Sequence, residues 1–285
     1  MAKVISFQSR KGGTGKTTSA VTFAQIVASK GYKVLLVDAD EQANTTRRFT
    51  DTCKKDFKQI FSILKENGIS HPLQSLTEQL KDDKYTSGTY DVLIDPASIH
   101  RCCFETNHEN LYLCPANEEL IKADQMVLLD TRSPQQTRFS RAFKMVANEF
   151  DYIVIDNAPS ANMTIINSLF ASDLVIITLK AGGDELDGLR KTLADISEIN
   201  QNFGVNINFK ILMTMMHRQK RNIELLEREA LEAMFPDRLF KTMISYQDAA
   251  VAKSSVENRS LLDKKSNVLN DYKAFVDEFL KGGAD

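Results

Sequence analysis

A glycine-rich loop between a short apolar run and a long apolar helix is the feature that most constrains the fold. The run at residues 4–7 predicts a buried strand, and apolar side chains recur after the loop at helical spacing until Gly31, which is expected to end the helix. A second apolar run, residues 33–37, follows at once. Strand, loop, helix and strand in this order predict a parallel βαβ unit, with the loop at the carboxyl end of its first strand.

The loop has the residue types that bind phosphate groups. Glycines at positions 12, 13 and 15 allow backbone N–H groups to converge on phosphate oxygens, and the next helix adds the positive end of its dipole. We expect Lys16 to neutralise the β and γ phosphates and Thr17 to ligate Mg²⁺. A chance glycine-rich turn is the alternative, but it would not explain the flanking strand and helix. The predicted phosphate-binding residues are Lys11, Gly12, Gly13, Thr14, Gly15, Lys16, Thr17 and Thr18.

The rest of the chain continues this alternation. Apolar runs at residues 152–155, 174–179 and 209–213 are typical of strands buried on both faces, and the stretches between them are predicted to be largely helical. The predicted fold class is α/β: a P-loop NTPase with a mostly parallel twisted sheet flanked by helices. Residues 1–285 are predicted to form one P-loop ATPase domain. Within it, residues 50–90 are interpreted as a helical insertion, with helical spacing at Phe57, Ile60, Phe61 and Leu64.

Composition and charge exclude several classes of protein. Thirty-six Lys and Arg residues against thirty-eight Asp and Glu give a net charge of −2, so a nucleic-acid surface would have to be a local patch. The apolar runs are too short to cross a bilayer, and no signal-like leader precedes the first strand, so the cytoplasm is the expected compartment. Four cysteines lack the CxxC spacing of a zinc site and are predicted to be reduced, mostly buried thiols: Cys53, Cys102, Cys103 and Cys114.

The loop departs from the standard pattern GxxxxGK[ST], because Arg10 stands where the first glycine belongs and Lys11 precedes Gly12. This variant, KGGxGKT, resembles the deviant Walker A loop of the ParA/MinD family of ATPases. Residues 38–44, DADEQAN, are close to the family pattern DxDPQxN, with Glu41 in place of proline. Residues 151–159, DYIVIDNAP, are similar to the family sequence DYIIIDTPP.

The resemblance implies ATP and Mg²⁺ as cofactors and assigns roles to the acidic residues. Asp40 would position or activate the attacking water, Asp38 would contact the water shell of Mg²⁺, and Asp156 would bind Mg²⁺ through water. Thr17, Asp38 and Asp156 are thus the expected metal residues. Helix capping before residues 41–48 is the alternative for Asp38 and Asp40. Asp95 also ends an apolar run, but residues 90–93 match a family helix, so it receives no catalytic role.

The resemblance also implies that Lys11 acts in trans. In this family the additional lysine reaches across a nucleotide-sandwich dimer to the phosphates of the partner, as an arginine finger does. The expected catalytic residues are therefore Lys11, Lys16 and Asp40. Gln42 and Asn44 would lie in a nucleotide-sensing switch.

Two segments bear on what such an ATPase acts upon. MinD-like chains end in a basic amphipathic helix, whereas residues 271–280 here are amphipathic but acidic, which disfavours membrane binding. Tyr272, Phe275, Val276 and Phe279 are predicted to pack on the core. The basic run at residues 217–222 lies where partition ATPases carry a DNA-binding arginine. The alternative is that this run is only a solvent-exposed face, which is the usual role of a run of charged residues. The DNA-binding candidates are Arg218, Lys220 and Arg221, followed by Arg190 and Lys191.

The expected function is ATP-dependent partitioning of a plasmid or chromosome, as in ParA/Soj-type ATPases of the short form, since no helix-turn-helix region precedes the first strand. ATP would close a homodimer, the dimer would bind nonspecific DNA on the nucleoid, and a centromere-binding adaptor of the ParB type would stimulate hydrolysis and release. The alternatives are a MinD-like positioning ATPase, a metabolic P-loop enzyme, a nucleotide-dependent reductase and a scaffold without turnover.

Overall fold

A parallel sheet flanked by helices is the centre of the molecule. The computed structural model describes residues 1–50, 62, 65, 85–117, 119–180, 185–217, 221–246, 260–263 and 265–282. Within these ranges the strands are β1 (Lys3–Gln8), β2 (Val34–Ala39), β3 (Phe104–Glu105), β4 (Leu111–Cys114), β5 (Tyr152–Asn157), β6 (Leu174–Lys180) and β7 (Phe209–Thr214). They form one sheet in the order β3-β4-β2-β5-β1-β6-β7, in which β3 pairs antiparallel with β4 and the other neighbours pair in parallel. The predicted fold class is confirmed.

Helices occupy most of the connections between strands. In chain order the α-helices are α1 (Lys16–Ser29), α2 (Asn44–Arg47), α3 (Thr89–Ile94), α4 (Leu120–Leu129), α5 (Arg138–Met145), α6 (Met163–Ala171), α7 (Glu185–Phe203), α8 (Arg221–Met234) and α9 (Asn267–Lys281). Short 3-10 helices cover Pro96–Cys102, Gln135–Thr137 and Leu261–Asp263.

All five predicted strands are present, each within two residues of its expected bounds. The apolar runs do not predict β3 and β4, because these strands have only two and four residues and leave no long apolar run. Of residues 51–84 the structure describes Ser62 and Lys65, both helical. The apolar residues proposed for the helical insertion lie outside the described residues: Phe57, Ile60, Phe61 and Leu64.

The central helix α1 is buried on nearly all sides, as its continuous apolar sequence predicts. It lies against β1, β2 and β5 on one side and α9 on the other. Gly31, with φ of 92°, adopts the left-handed conformation that ends the helix. This packing fixes the start of α1, and with it the end of the glycine-rich loop, against the middle of the sheet.

The last helix, α9, packs its apolar stripe on α1. Tyr272, Phe275, Val276 and Phe279 are all buried, which confirms the predicted stripe. The ring of Phe23 on α1 lies 5.7 Å from that of Phe275 and 5.0 Å from that of Phe279.

The acidic residues of α9 bind neighbouring parts of the chain. Asp277 pairs with Lys30 at 2.7 Å, and Glu278 accepts hydrogen bonds from the backbone N–H groups of Lys241 and Thr242 at 2.6 and 2.8 Å. In the part of the chain that the structure describes, no helix is both long and apolar enough to span a membrane.

The cysteines of the described residues are free thiols. Cys102 and Cys114 are buried and Cys103 is half-buried, as predicted for a chain without a disulfide framework. Burial raises the pKa of Cys103 to about 12, so its thiol stays protonated at neutral pH. Cys53 lies outside the described residues.

Phe275→Ala should destabilise the protein by about 3–5 kcal/mol, because it leaves a cavity between α9 and α1. Phe275 is fully buried and its ring lies 4.8 Å from that of Phe240. Urea denaturation measures the change in the free energy of unfolding. Lys273→Ala, at an exposed position of the same helix, is the control, and an equal loss in both variants would contradict the packing described for α9.

Candidate phosphate-binding site

The glycine-rich loop lies between β1 and α1, at the carboxyl edge of the sheet. Gly13 and Gly15 have φ of 78° and 76°, in the left-handed region that favours glycine. A Cβ atom built at Gly12 or Gly13 would meet nothing within 4 Å, so the loop faces open space there. At Gly15 an added Cβ would lie 3.4 Å from Cε of Met215. One side of the loop is therefore packed on the protein and the other is open to a ligand.

Two threonines of the sheet hold the middle of the loop. The hydroxyl of Thr14 lies 3.0 Å from that of Thr178 on β6, and the hydroxyl of Thr214 on β7 donates to the carbonyl of Thr14 at 2.7 Å. All three residues are buried. Thr178 and Thr214 could not be predicted from the sequence, because their contacts with the loop depend on the positions of β6 and β7 in the sheet.

Lys16 lies across the end of β5. Its ammonium donates to Oδ1 of Asp156 at 3.1 Å and to the carbonyl of Asn157, and its side chain is only 8% exposed. The other carboxylate oxygen of Asp156 accepts a hydrogen bond from the hydroxyl of Thr45 at 2.8 Å. Lys16 and Asp156, predicted from separate motifs, are therefore brought together.

Asp38 is completely buried and stands beside Asp156, since the register of β2 and β5 pairs these two residues. Its Oδ2 accepts hydrogen bonds from the backbone N–H and the hydroxyl of Thr46, both at 2.7 Å, and its Oδ1 accepts from the N–H of Asp40 at 3.2 Å. Burial, together with the charge of Asp156, raises the pKa of Asp38 to about 7. Two buried carboxylates thus lie side by side in one small region.

The bond from the N–H of Thr46 bears on the alternative of helix capping. Thr46 belongs to α2, so Asp38 does hold the first turn of this short helix. Asp38 therefore has a structural contact of the capping kind and also lies beside Asp156.

Asp40 lies where β2 leads into α2 and is also buried. Its Oδ1 accepts a hydrogen bond from the N–H of Gln42 at 2.9 Å. Burial raises its pKa, against the opposing effects of that hydrogen bond and of the Lys16 charge. The next residues form a tight turn in which Ala43 has φ of 51°. Asp40 is thus held by its own turn, close enough to Lys16 and Asp156 to be influenced by both charges.

The remaining predicted loop residues lie at its two ends. Thr17 and Thr18 are half-buried at the start of α1, and the hydroxyl of Thr18 accepts a hydrogen bond from the guanidinium of Arg48 at 3.1 Å. Lys11 is half-buried at the other end, where its N–H lies 3.4 Å from the hydroxyl of Ser9. Asp95 caps the following 3-10 helix by accepting from the N–H of Ala97 at 3.1 Å, a structural contact.

The DNA-binding candidates are only partly described. Arg218 and Lys220 lie outside the described residues, and Arg221 is the first residue of α8. Arg190 and Lys191 on α7 both pair with Asp187, at 3.0 and 2.6 Å. Their charges are therefore partly neutralised within α7.

Comparison with known proteins gives a consistent result over most of the chain. The AAA domain family matches residues 2–211. The sporulation initiation inhibitor protein Soj of Bacillus subtilis is 30% identical over 244 residues, which cover 86% of this chain and 84% of Soj.

Two solved structures share the fold. One is a Borrelia burgdorferi protein described as a plasmid partition protein, bound to AMPPNP, with a TM-score of 0.73, 23% identity and coverage of 99% of this chain and 100% of that one. The other is cobyrinic acid a,c-diamide synthase from Mycobacterium smegmatis with ADP and magnesium, with a TM-score of 0.70, 22% identity and coverage of 97% and 93%. At these identities the likenesses establish the fold alone.

Asp38→Asn should change how stability depends on pH. Between the ordinary pKa of 3.8 and the folded pKa of about 7, folded Asp38 keeps a proton that the unfolded chain has lost. Its contribution to stability is therefore present at low pH and is lost as the pH rises. In urea denaturation without nucleotide or magnesium, the stability of the variant relative to wild type should increase from about pH 4 to about pH 8. A difference that stays constant over this range would contradict the buried, raised-pKa carboxyl.

Proposed function

Since the chain belongs to the ParA/Soj family of P-loop NTPases, we propose that it is an ATPase that partitions DNA, segregating a plasmid or a chromosome. The observation that carries the proposal is the convergence of Lys16 with Asp38, Asp40 and Asp156 beside an open glycine-rich loop that begins with Lys11. The loop supplies a phosphate site, and the carboxylates supply the groups that hydrolysis needs.

ATP fits the loop in a specific way. Backbone N–H groups of Gly12, Gly13 and Gly15 would bind phosphate oxygens, and Lys16 would exchange its contact with Asp156 for the β and γ phosphates. Both are contacts of a cation with anionic oxygen, so the exchange keeps the ammonium paired within the site.

Mg²⁺ fits the buried carboxylates. Asp38 and Asp156 are both completely buried and repel each other, and a divalent cation close to them would relieve that repulsion. Thr17, Asp38 and Asp156 are the residues that would hold it, the two carboxylates through water. The ion supplies charge neutralisation on the phosphate oxygens.

Hydrolysis needs a water molecule in line with the γ phosphorus. A bond forms between the water oxygen and that phosphorus, the bond from phosphorus to the bridging oxygen breaks, and ADP and phosphate leave. Asp40 would hydrogen-bond the attacking water and orient it. Its pKa, raised by burial, makes it a better acceptor for the proton of that water than an exposed carboxylate.

Lys11 would complete the site of a second subunit. In the described structure Lys16 is bound to the end of β5, whereas Lys11 lies at the opposite end of the loop. A cation that reaches the partner's phosphates only after dimerisation would stabilise the charge of the transferring phosphoryl group. Hydrolysis would then be coupled to assembly of the homodimer.

DNA and the adaptor would act on this cycle from outside the nucleotide site. The ATP-bound dimer would bind nonspecific DNA through Arg218, Lys220 and Arg221, and pairing two patches would raise affinity through avidity. A centromere-binding adaptor of the ParB type would stimulate hydrolysis and release. The binding of Asp277 and Glu278 to neighbouring parts of the chain supports the interpretation of α9 as a packed helix and disfavours a MinD-like membrane cycle.

Lys11→Ala and Lys16→Ala should have different effects. Lys16→Ala should abolish ATP binding, because the phosphates lose their charge partner within the subunit. Lys11→Ala should leave binding of the first ATP intact and lower steady-state hydrolysis by about 10³-fold, as loss of an arginine finger does. Calorimetry measures binding, and phosphate release measures hydrolysis. Normal hydrolysis by Lys11→Ala would instead favour the monomeric metabolic enzyme.

The protein should bind nonspecific DNA in the presence of ATP and should not bind it with ADP or without nucleotide. Arg221→Ala should weaken this binding and lower the slope of log affinity against log salt by about two per dimer, one per lost phosphate contact. Fluorescence anisotropy with a labelled duplex at several salt concentrations measures both quantities. Lys144→Ala, an exposed residue of α5, is the control. An ATP-bound form that does not retain DNA at low salt would refute the partition function.

A further inference from the structure

The start of the glycine-rich loop contacts helix α7. Arg10, the residue before Lys11, directs its guanidinium to Asp195 on α7, with Nε 3.3 Å from Oδ2. The backbone N–H of Arg10 donates to the hydroxyl of Thr192 on the same helix at 3.2 Å. Both the side chain and the backbone of Arg10 therefore contact α7.

One face of α7 provides all of these contacts. Gly188, Thr192 and Asp195 are spaced four and three residues apart, which places them on the same side of a helix. The hydroxyl of Thr192 also donates to the carbonyl of Gly188 at 2.9 Å. A Cβ atom added to Gly188 would lie only 3.1 Å from Cβ of Lys11 and 3.7 Å from its N, so Lys11 itself packs on this face.

The pair between Arg10 and Asp195 is partly shielded from water. The two side chains are only 21% and 23% exposed, and the contact between them is an ion pair without a hydrogen bond. Nη1 of Arg10 and Oδ2 of Asp195 are both buried atoms without a hydrogen-bond partner among the described residues. Burial raises the pKa of Asp195 despite the opposing charge of Arg10. An ion pair in such surroundings constrains its partners more strongly than a fully exposed pair.

The two lysines of the loop consequently have different supports. Lys16 is bound to the end of β5, and the middle of the loop is bound to Thr178 and Thr214 of the sheet. Lys11 instead follows a residue that is bound to α7. A change in the contact between Arg10 and α7 would therefore shift Lys11. It would leave in place the rest of the loop, residues 12–16, which we call the phosphate cradle.

We propose that Asp195, acting through Arg10, is a positioning residue for Lys11: the ion pair fixes the start of the loop on α7 in the orientation from which Lys11 reaches the partner's phosphates. This inference rests on the proposed role of Lys11 in trans. It assigns to Arg10 a function of its own, because the side chain that replaces the usual first glycine of the motif is the one that binds α7.

The test combines two single variants that each neutralise one charge of the pair with a double variant that exchanges the two charges. Asp195→Asn and Arg10→Gln should each lower kcat for ATP hydrolysis about tenfold and leave KM and ADP affinity within about twofold, because Lys16 and the cradle are intact. The double variant Arg10→Asp with Asp195→Arg should recover most of the lost kcat. ATP-dependent dimer formation, measured by light scattering, should weaken in the single variants and return in the double one.

Asp187→Asn is the matched control. It removes the ion pairs of Asp187 with Arg190 and Lys191 on the same helix, none of which involves the loop. Without DNA, its kcat should equal that of wild type. Because Arg10→Gln breaks the pair from the other side, it decides the outcome if Asp195→Asn does not fold.

Three results would overturn the proposal: unchanged kcat in both single variants, a loss confined to KM or ADP affinity, or a double variant no better than the singles. Lys11→Ala separates this failure from that of the proposed function. If Lys11→Ala abolishes hydrolysis while Asp195→Asn and Arg10→Gln do not affect it, only the positioning role is wrong. If Lys11→Ala hydrolyses ATP normally, the role of Lys11 in trans fails first.

Discussion

Two fully buried carboxylates on neighbouring strands are the constraint around which the site is built. The parallel register of β2 and β5 places Asp38 next to Asp156, and neither side chain reaches water. Two such charges are tolerated only when donors or cations surround them. The donors come from the loop, as Lys16, and from α2, as Thr45 and Thr46. The loop and the turn after β2 are thus joined through the carboxylates that both of them bind.

The glycine-rich loop is held at both of its ends, at one by the sheet and at the other by a helix. Its inner end is fixed to the sheet, since Thr14 binds β6 and β7 and Lys16 binds β5. Its outer end is fixed to α7 by Arg10. The middle and the inner end of the loop are therefore held by strands of the sheet, whereas Lys11 at its start follows a residue that contacts a helix.

The sequence predicts those parts of the molecule that local chemistry determines. Strands buried on both faces need continuous apolar runs, and a phosphate loop needs glycines and a lysine at fixed spacing, so β1, β2, β5, β6, β7 and the loop could be predicted. Strand β4 has only four residues and includes the half-buried Tyr112, so its pattern is too short to recognise.

The contacts that hold the site could not be predicted, because they depend on which elements are neighbours in space. Thr178 and Thr214 matter only because β6 and β7 follow β1 in the sheet, and Asp195 matters only because α7 lies beside Arg10. A threonine in an apolar strand or an aspartate in an amphipathic helix has no distinguishing local pattern. The raised pKa of Asp38 likewise depends on a strand register that no single segment encodes.

Thr46 connects the buried carboxylates to the segment that follows β4. Its hydroxyl donates to Oδ2 of Asp38 at 2.7 Å and accepts a hydrogen bond from the N–H of Ala116 at 2.9 Å, just beyond the end of β4. A hydroxyl that donates strongly to an ionised carboxylate becomes a better acceptor at its own oxygen. The contact with Ala116 should therefore strengthen when Asp38 is ionised and weaken when it is protonated.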